Sequence, residues 1–226
     1  SQTSYVMGLY FDLYESPEKK SAAADKLCAL IESSDGCQTV GFIGISYILD
    51  ALSDNGKTDA AYKLLRNTKA PSLLYPVTMD ATTTWESYTG GSHNHYVQGS
   101  PVRWLYTDIL GIDHDRVHTN AGYKHFDLSP KPESLEYANG EYVSANGVIK
   151  SAWKKTEKGY TYECTVPANT SATLTLPISG NAVVSESGNK VESGVSGLSV
   201  VSKDSGKIVL ELESGVYSFI AENIGA

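Results

Sequence analysis

Apolar residues recur at two different spacings along the 226-residue chain. Over roughly the first 110 residues they recur every three or four positions, and this spacing predicts helices. One such stripe consists of Leu27, Leu30 and Ile31. Its segment opens with Ser16, which is typical of an N-cap, and with Pro17, which is tolerated at the first helical position. We therefore predict a helix that begins at Pro17.

The same spacing predicts further helices in four segments: 4–14, 41–56, 57–69 and about 94–110. The second of them is expected to end at Gly56, because glycine readily adopts the left-handed conformation of a C-terminal cap. The third should turn Leu64 and Leu65 inward. In the last segment Pro101 either interrupts the helix or marks its true start, since proline inside a helix removes a hydrogen bond.

After Gly122 apolar and polar residues alternate in short runs, as in strands that pack one face on a core. The runs at 159–167 and 207–213 show this alternation, and Gly, Asn and Pro separate the runs. The turns between neighbouring runs are short enough for hairpins. We predict two domains, a helical one over 1–112 and an antiparallel β-sandwich of about eight strands over 123–226.

The overall charge narrows the set of partners. The formal net charge is −8 and no basic cluster is longer than Lys-Lys, so neither nucleic acid nor an anionic membrane surface is an expected partner. No apolar run approaches the ~20 residues of a membrane span. The sequence enters helical periodicity at once and without an initiator Met, so we expect it to be the interior of a longer gene. The cellular compartment is not indicated.

The stretch WESYTGGSHNHY, residues 85–96, carries the candidate chemistry. Glu86 beside Trp85 is consistent with a catalytic carboxylate at a sugar, with a metal site or with a plain loop. A metal would use His93 and His95, whose spacing places both on one face of a strand. Zinc needs three or four ligands, and no third ligand cluster is nearby in the sequence. A metal is therefore the least favoured of the three interpretations.

The remaining cysteines and histidines that could bind a metal do not indicate a metal site. Three cysteines without CxxC spacing, Cys28, Cys37 and Cys164, predict neither a disulfide framework nor a zinc site. His114 and His118 are four residues apart, which is a ligand spacing on a helix. They lie at the junction between the two predicted domains, where we expect a solvated linker.

Five segments together resemble the C-terminal part of bacterial α-L-rhamnosidases of glycoside hydrolase family 78, over nearly the whole chain. In chain order they are 41–65, 71–88, 92–106, 121–132 and 165–177. The motifs ATTTWE, SHNHY and GYKHF within them are fairly specific to that family. The resemblance implies that residues 1–112 are the last hairpins of an (α/α)6 catalytic barrel. Residues 123–226 would then be the C-terminal β-sandwich.

The resemblance also implies roles for three residues. Glycosidases of this family invert the sugar, which requires a base and an acid about 6.5–9.5 Å apart with water between base and anomeric carbon. Glu86 occupies the position of the general base, His95 that of a sugar contact or a support for the water, and Trp85 a wall of the pocket. The general acid of the family precedes this sequence, so we expect the chain alone to be inactive or nearly so. No cofactor or metal is expected.

The expected partner is a rhamnose-containing glycan or glycoside. Two alternatives stay open: a carbohydrate-binding or assembly module built on an incomplete toroid, and another glycosidase with an α/α barrel. An incomplete toroid leaves apolar helix faces uncovered, so a homo-oligomer formed through that helical edge is a further prediction.

Overall fold

The computed structural model describes residues 1–114, 122–132 and 135–222. The chain divides into two compact units, Ser1–Trp104 and Leu105–Ala226. The helices of the first unit are α1 Gln2–Tyr10, α2 Pro17–Glu32, α3 Phe42–Ile45, α4 Ile48–Ser53, α5 Thr58–Arg66, α6 Tyr75–Thr78, α7 Pro101–Trp104 and a 3-10 helix at Tyr96–Gly99. Within the described ranges, no helix is long and apolar enough to cross a membrane.

Helix α2 begins as the sequence predicts. The side chain of Ser16 accepts a hydrogen bond from the backbone N–H of Lys19 at 3.3 Å, and Pro17 is the first helical residue. Leu27 and Ile31 are buried, whereas Leu30 is only half-buried. The cap satisfies one of the N–H groups that a helix start leaves without a partner.

The other helical predictions need correction at their boundaries. The single helix expected over 41–56 is two short helices, because the chain leaves helical geometry at Tyr47, where φ is −126° and ψ is −10°. Gly56 does end this region, with φ at +70°. Pro101 marks the true start of α7, preceded by the 3-10 turn.

The core of the helical unit surrounds a buried tryptophan. Trp104 is 1% exposed, and its indole N–H donates to the Ser53 hydroxyl at 3.0 Å. The ring of Tyr62 packs edge-on against it, with the centroids 5.2 Å apart. Beside it the buried carboxylate of Asp50 accepts from the Arg103 guanidinium at 2.5 Å. The last helix is thereby tied to α4.

The second unit holds eleven strands among its described residues, more than the eight or so that the sequence predicts. They are β1 Ile112–His114, β2 His125–Leu128, β3 Tyr137–Ser144, β4 Gly147–Thr156, β5 Gly159–Val166, β6 Ser171–Pro177, β7 Val183–Glu186, β8 Asn189–Lys190, β9 Leu198–Lys203, β10 Lys207–Leu212 and β11 Gly215–Glu222. One sheet has the order β1-β2-β6-β10-β9, and the other β3-β4-β5-β11-β7-β8. Strands β2 and β6 are parallel, so the sandwich is not purely antiparallel.

Alternation places one face of each sheet in the core. Leu174 and Leu210 are fully buried in the five-stranded sheet, as are Ile149 and Tyr162 in the six-stranded one. The unit opens with a π-helical turn, Leu105–Ile109, whose last carbonyl accepts from the Trp153 indole at 2.7 Å. Both compact units are thus organised around one buried tryptophan.

Candidate active site

The predicted site lies in an irregular segment whose two arms pair with each other. We call residues 83–96 the Glu86 loop. The N–H of Glu86 donates to the carbonyl of Ser92 at 3.0 Å, and the N–H of His95 donates to the carbonyl of Thr84 at 2.8 Å. The hydroxyl of Thr84 donates in turn to the carbonyl of His95 at 2.8 Å. These bonds hold Glu86 and His95 on facing arms.

Two glycines close the loop between the arms. Gly90 and Gly91 have φ values of +136° and +95°, which side chains rarely tolerate. The TGG of the motif therefore has a backbone role, because it lets the chain reverse between Glu86 and His95.

Trp85 and His93 stack across the same two arms. Their ring centroids are 4.2 Å apart and their planes differ by 11°. The Thr83 hydroxyl also donates to the His93 carbonyl. His93 has no role assigned to it from the sequence, yet it covers a face of Trp85 and so fixes that ring.

The ring of His95 stacks between two others. Phe42, at the start of α3, lies 4.4 Å away at 10°, and Tyr96 lies 5.6 Å away at 11°. The Nδ1 atom of His95 is buried and has no hydrogen-bond partner within the described part of the chain. Sequence reasoning missed Phe42, since its contact with His95 joins segments far apart in the chain and no local pattern reports it.

Two tyrosines, Tyr88 of the Glu86 loop and Tyr75 of α6, help to hold the first arm of the loop. The hydroxyl of Tyr88 donates to the carbonyl of the buried Ser72 at 2.9 Å, and its ring meets Tyr75 edge-on at 5.6 Å. Burial raises the pKa of the Tyr88 phenol. Tyr88 thus stays protonated as a donor and anchors the residues that follow Glu86.

The carboxylate of Glu86 itself is exposed. Over the residues that the structure describes, it forms no hydrogen bond and no ion pair, either with His95 and Trp85 or with any other side chain. The structure therefore places the three predicted residues on one loop without joining their side chains. A carboxylate in this state keeps its lone pairs free for water or a ligand.

Two of the other histidines, His114 and His125, belong to the second compact unit and have partners there. His114 is exposed and bonds to its neighbour Asp113 at 2.9 Å, whereas His118 lies outside the described residues. His125 bridges the hydroxyls of Ser171 and Thr173 on the five-stranded sheet. No group of three or more His, Cys, Asp or Glu side chains able to hold a metal occurs in the part of the chain that the structure covers.

Two family models match the chain one after the other. The bacterial α-L-rhamnosidase six-hairpin glycosidase domain matches residues 1–109, and the bacterial α-L-rhamnosidase C-terminal domain matches residues 111–191. Among curated relatives, an α-L-rhamnosidase of Streptomyces avermitilis is 36% identical over 190 residues, covering 78% of this chain and 18% of that protein. One of Formosa agariphila is 30% identical over 235 residues, covering 98% of this chain and 25% of that protein.

Solved structures give the same result. The Streptomyces avermitilis α-L-rhamnosidase complexed with L-rhamnose aligns with a TM-score of 0.82 at 32% identity, over 97% of this chain and 21% of that one. The α-L-rhamnosidase from Dictyoglumus thermophilum aligns at 0.83 and 29%, over 98% and 25%. The predicted fold class, the end of a helical toroid followed by a β-sandwich, is confirmed. The chain belongs to the bacterial α-L-rhamnosidase family, within which it matches the six-hairpin glycosidase domain and the C-terminal domain.

Proposed function

We propose that this chain supplies the general-base side of an inverting α-L-rhamnosidase active site. The observation that supports the proposal is the Glu86 carboxylate, which is exposed, free of partners among the described residues and held by backbone pairing on the arm that faces the arm of His95. A base must be free to bind its water, and its position must be fixed before the sugar arrives. The Glu86 loop meets both requirements.

In the proposed reaction Glu86 accepts a proton from a water molecule as that water attacks the anomeric carbon of an α-L-rhamnoside. The new C–O bond forms on the face opposite the leaving oxygen, so the released rhamnose has the inverted configuration. His95 contacts the sugar or the water, and the stack with Phe42 restricts its ring to one plane. Trp85, fixed by His93, forms a wall that limits entry of other water.

Protonation of the leaving oxygen needs a second carboxyl group on the opposite face of the sugar. The chain spans 18% and 25% of the two curated relatives described above, so the activity of a whole protein and its substrate are part of the proposal. We infer that the acid is contributed by residues outside this sequence. The 226 residues alone are then expected to turn over a rhamnoside slowly or not at all, since acid catalysis contributes about 10²–10⁴-fold.

The test uses an aryl α-L-rhamnoside and two proteins, the 226-residue chain and the full-length product of the gene that encodes it. We expect turnover only in the longer protein, with roughly 10²–10⁴-fold loss in Glu86→Gln. Glu141→Gln is the control, because Glu141 is an exposed carboxylate on β3, where it pairs with Lys150. If the short chain turns over the rhamnoside and Glu86→Gln abolishes that turnover, the inference that the acid lies outside this sequence is wrong. Full activity of the longer Glu86→Gln protein would disprove the role of Glu86.

A further inference from the structure

The outer face of the six-stranded sheet carries a groove that the proposed reaction does not use. Its volume is about 380 Å³, and it crosses strands β3, β4 and β5. The floor is Ala152, which lies between Asn139 on β3 and Glu163 on β5 in the strand register. Because the alanine side chain is short and its neighbours are long, the sheet surface is indented at this point.

One row along the strands, Lys154 lies between Tyr137 and Thr161. Tyr137 is 62% exposed, although a ring of that size on a sheet usually packs on its neighbours. The groove is thus bordered by an exposed aromatic ring at one end of β3 and by polar side chains on both sides. Exposed aromatic rings beside polar groups are typical of surfaces that bind amphipathic ligands.

Most of the polar groups around the groove are not used within the protein, the exception being the Thr161 hydroxyl, which donates to the Lys154 carbonyl at 3.5 Å. Across the described residues, neither Lys154 nor Glu163 forms an ion pair, and the Asn139 amide makes no hydrogen bond. The next row of the same face behaves differently, since Glu141 and Lys150 pair at 3.7 Å. Opposite charges are therefore paired outside the groove and left unpaired inside it.

These side chains together select a class of ligand. A saccharide ring offers an apolar C–H face to an aromatic side chain and hydroxyl groups that both donate and accept hydrogen bonds. Asn139 and Thr161 do both, Lys154 donates and Glu163 accepts. A strongly charged ligand would be repelled by Glu163 or by Lys154, and a wholly apolar one would leave these groups desolvated. The volume lies in the range of about 300–1,000 Å³ seen for small-ligand sites.

We propose that this groove is a second saccharide-binding site, which holds a neutral sugar of the glycan through residues other than those of the Glu86 loop. That the glycan contains rhamnose rests on the proposed function. The groove itself requires only a neutral pyranose. Weak binding is sufficient for such a site, because a tethered second contact raises the local concentration of the glycan at the first.

The test is a ¹H–¹⁵N NMR titration of the 226-residue chain with methyl α-L-rhamnopyranoside and with a neutral rhamnose-terminated disaccharide. We expect saturable shifts of the amides of β3, β4 and β5. Ala152→Leu, which fills the floor from an exposed face, should abolish them. Tyr137→Ala should weaken binding about tenfold or more, whereas Tyr137→Phe, which keeps the ring, should bind as the parent does. Glu141→Gln is the control on the same face and should leave the affinity unchanged.

Three results would overturn the proposal: no saturable shift in β3–β5, shifts there that persist in Ala152→Leu, or tighter binding of glucuronate than of the neutral sugars. A failure of the proposed function looks different, because it would appear in turnover. The longer protein would then keep its full activity in the Glu86→Gln variant. The groove shifts would remain in a Glu86→Gln chain. The two proposals can therefore fail independently.

Discussion

The two compact units bury a tryptophan in the same way but differ in how the rest of the chain is held. Trp104 and Trp153 are 1% and 2% exposed, and each indole N–H has an acceptor. In the β unit most of the described residues belong to strand ladders. In the helical unit the residues from 67 to 100 hold only four-residue helices and turns, and the Glu86 loop lies among them.

This difference concerns how the proposed site is held in place. Continuous ladders fix the backbone of the β unit at every second residue. The Glu86 loop has instead a few backbone bonds and three ring stacks, those of Trp85 with His93 and of His95 with Phe42 and with Tyr96. Binding and catalytic residues often lie on loops that a rigid scaffold positions. We infer that the stacks take the place of secondary structure in holding the site.

The largest expected effect is on stability, and it tests whether the two units unfold separately. Trp153→Ala and Trp104→Ala each leave a large cavity and should destabilise their own unit by about 3–5 kcal/mol. Cys164 and Cys37 are both 2% exposed, and they report the two units through their alkylation by iodoacetamide. Trp153→Ala should expose Cys164 first, and Trp104→Ala should expose Cys37 first. If both cysteines react together in both variants, the units unfold as one and the comparison fails.

Alkaline pH should weaken the β unit more than the helical unit. Burial raises the pKa of the Cys164 thiol and of the Tyr160 and Tyr162 phenols. The unfolded chain releases these protons as the pH rises past the ordinary values of 9.0 and 10.0, whereas the folded chain keeps them. The free energy of unfolding is therefore unaffected below about pH 9 and falls as the pH rises above it.

Urea denaturation at a series of pH values, followed by circular dichroism, measures this loss. Cys164→Ala should reduce the alkaline slope strongly. Cys28→Ala is the comparison and should reduce it less, because Cys28 is only half-buried and burial raises the pKa of its thiol less. An equal slope in the parent and in Cys164→Ala would show that the thiol does not remain protonated in the fold.

The smallest expected effect concerns association. The helical unit exposes large apolar side chains, including Leu13 at 70% and Ile43 at 66%. We predict that the chain self-associates through this surface, as exposed apolar patches commonly do. Light scattering should show a mass above that of the monomer, and Leu13→Asp with Ile43→Asp should return it to monomer. A monomeric parent chain that binds no apolar dye would contradict the prediction.

Local signals in the sequence were sufficient for part of the fold. Ser16 and Pro17 predicted the start of α2, because caps and prolines act within one turn. Pro101 predicted either an interruption or a helix start, and the structure shows the start of α7 there. The helix expected over 41–56 was wrong, since apolar spacing does not report a break such as that at Tyr47. Strand number was underestimated for a related reason, as strands of two to four residues are too short to show alternation.

The candidate site was likewise only partly predictable from local signals in the sequence. The sequence singled out Glu86, Trp85 and His95 through one short motif and its resemblance to a family. It could not reveal that Phe42 stacks on His95, because that contact depends on how α3 packs. Nor could it assign His93 to Trp85, since the pairing arises only when the two arms of the loop face each other.

The most direct test of the central claim is chemical rescue of Glu86→Ala in the full-length product of the gene. Azide can enter the space left by the carboxylate and attack the anomeric carbon of an aryl α-L-rhamnoside from the side on which Glu86 would place water. We predict that the variant loses about 10²–10⁴-fold of its turnover. Azide should then restore turnover and yield the β-L-rhamnosyl azide. An α-configured azide, or a Glu86→Ala protein with more than about half of the parent activity, would contradict the account.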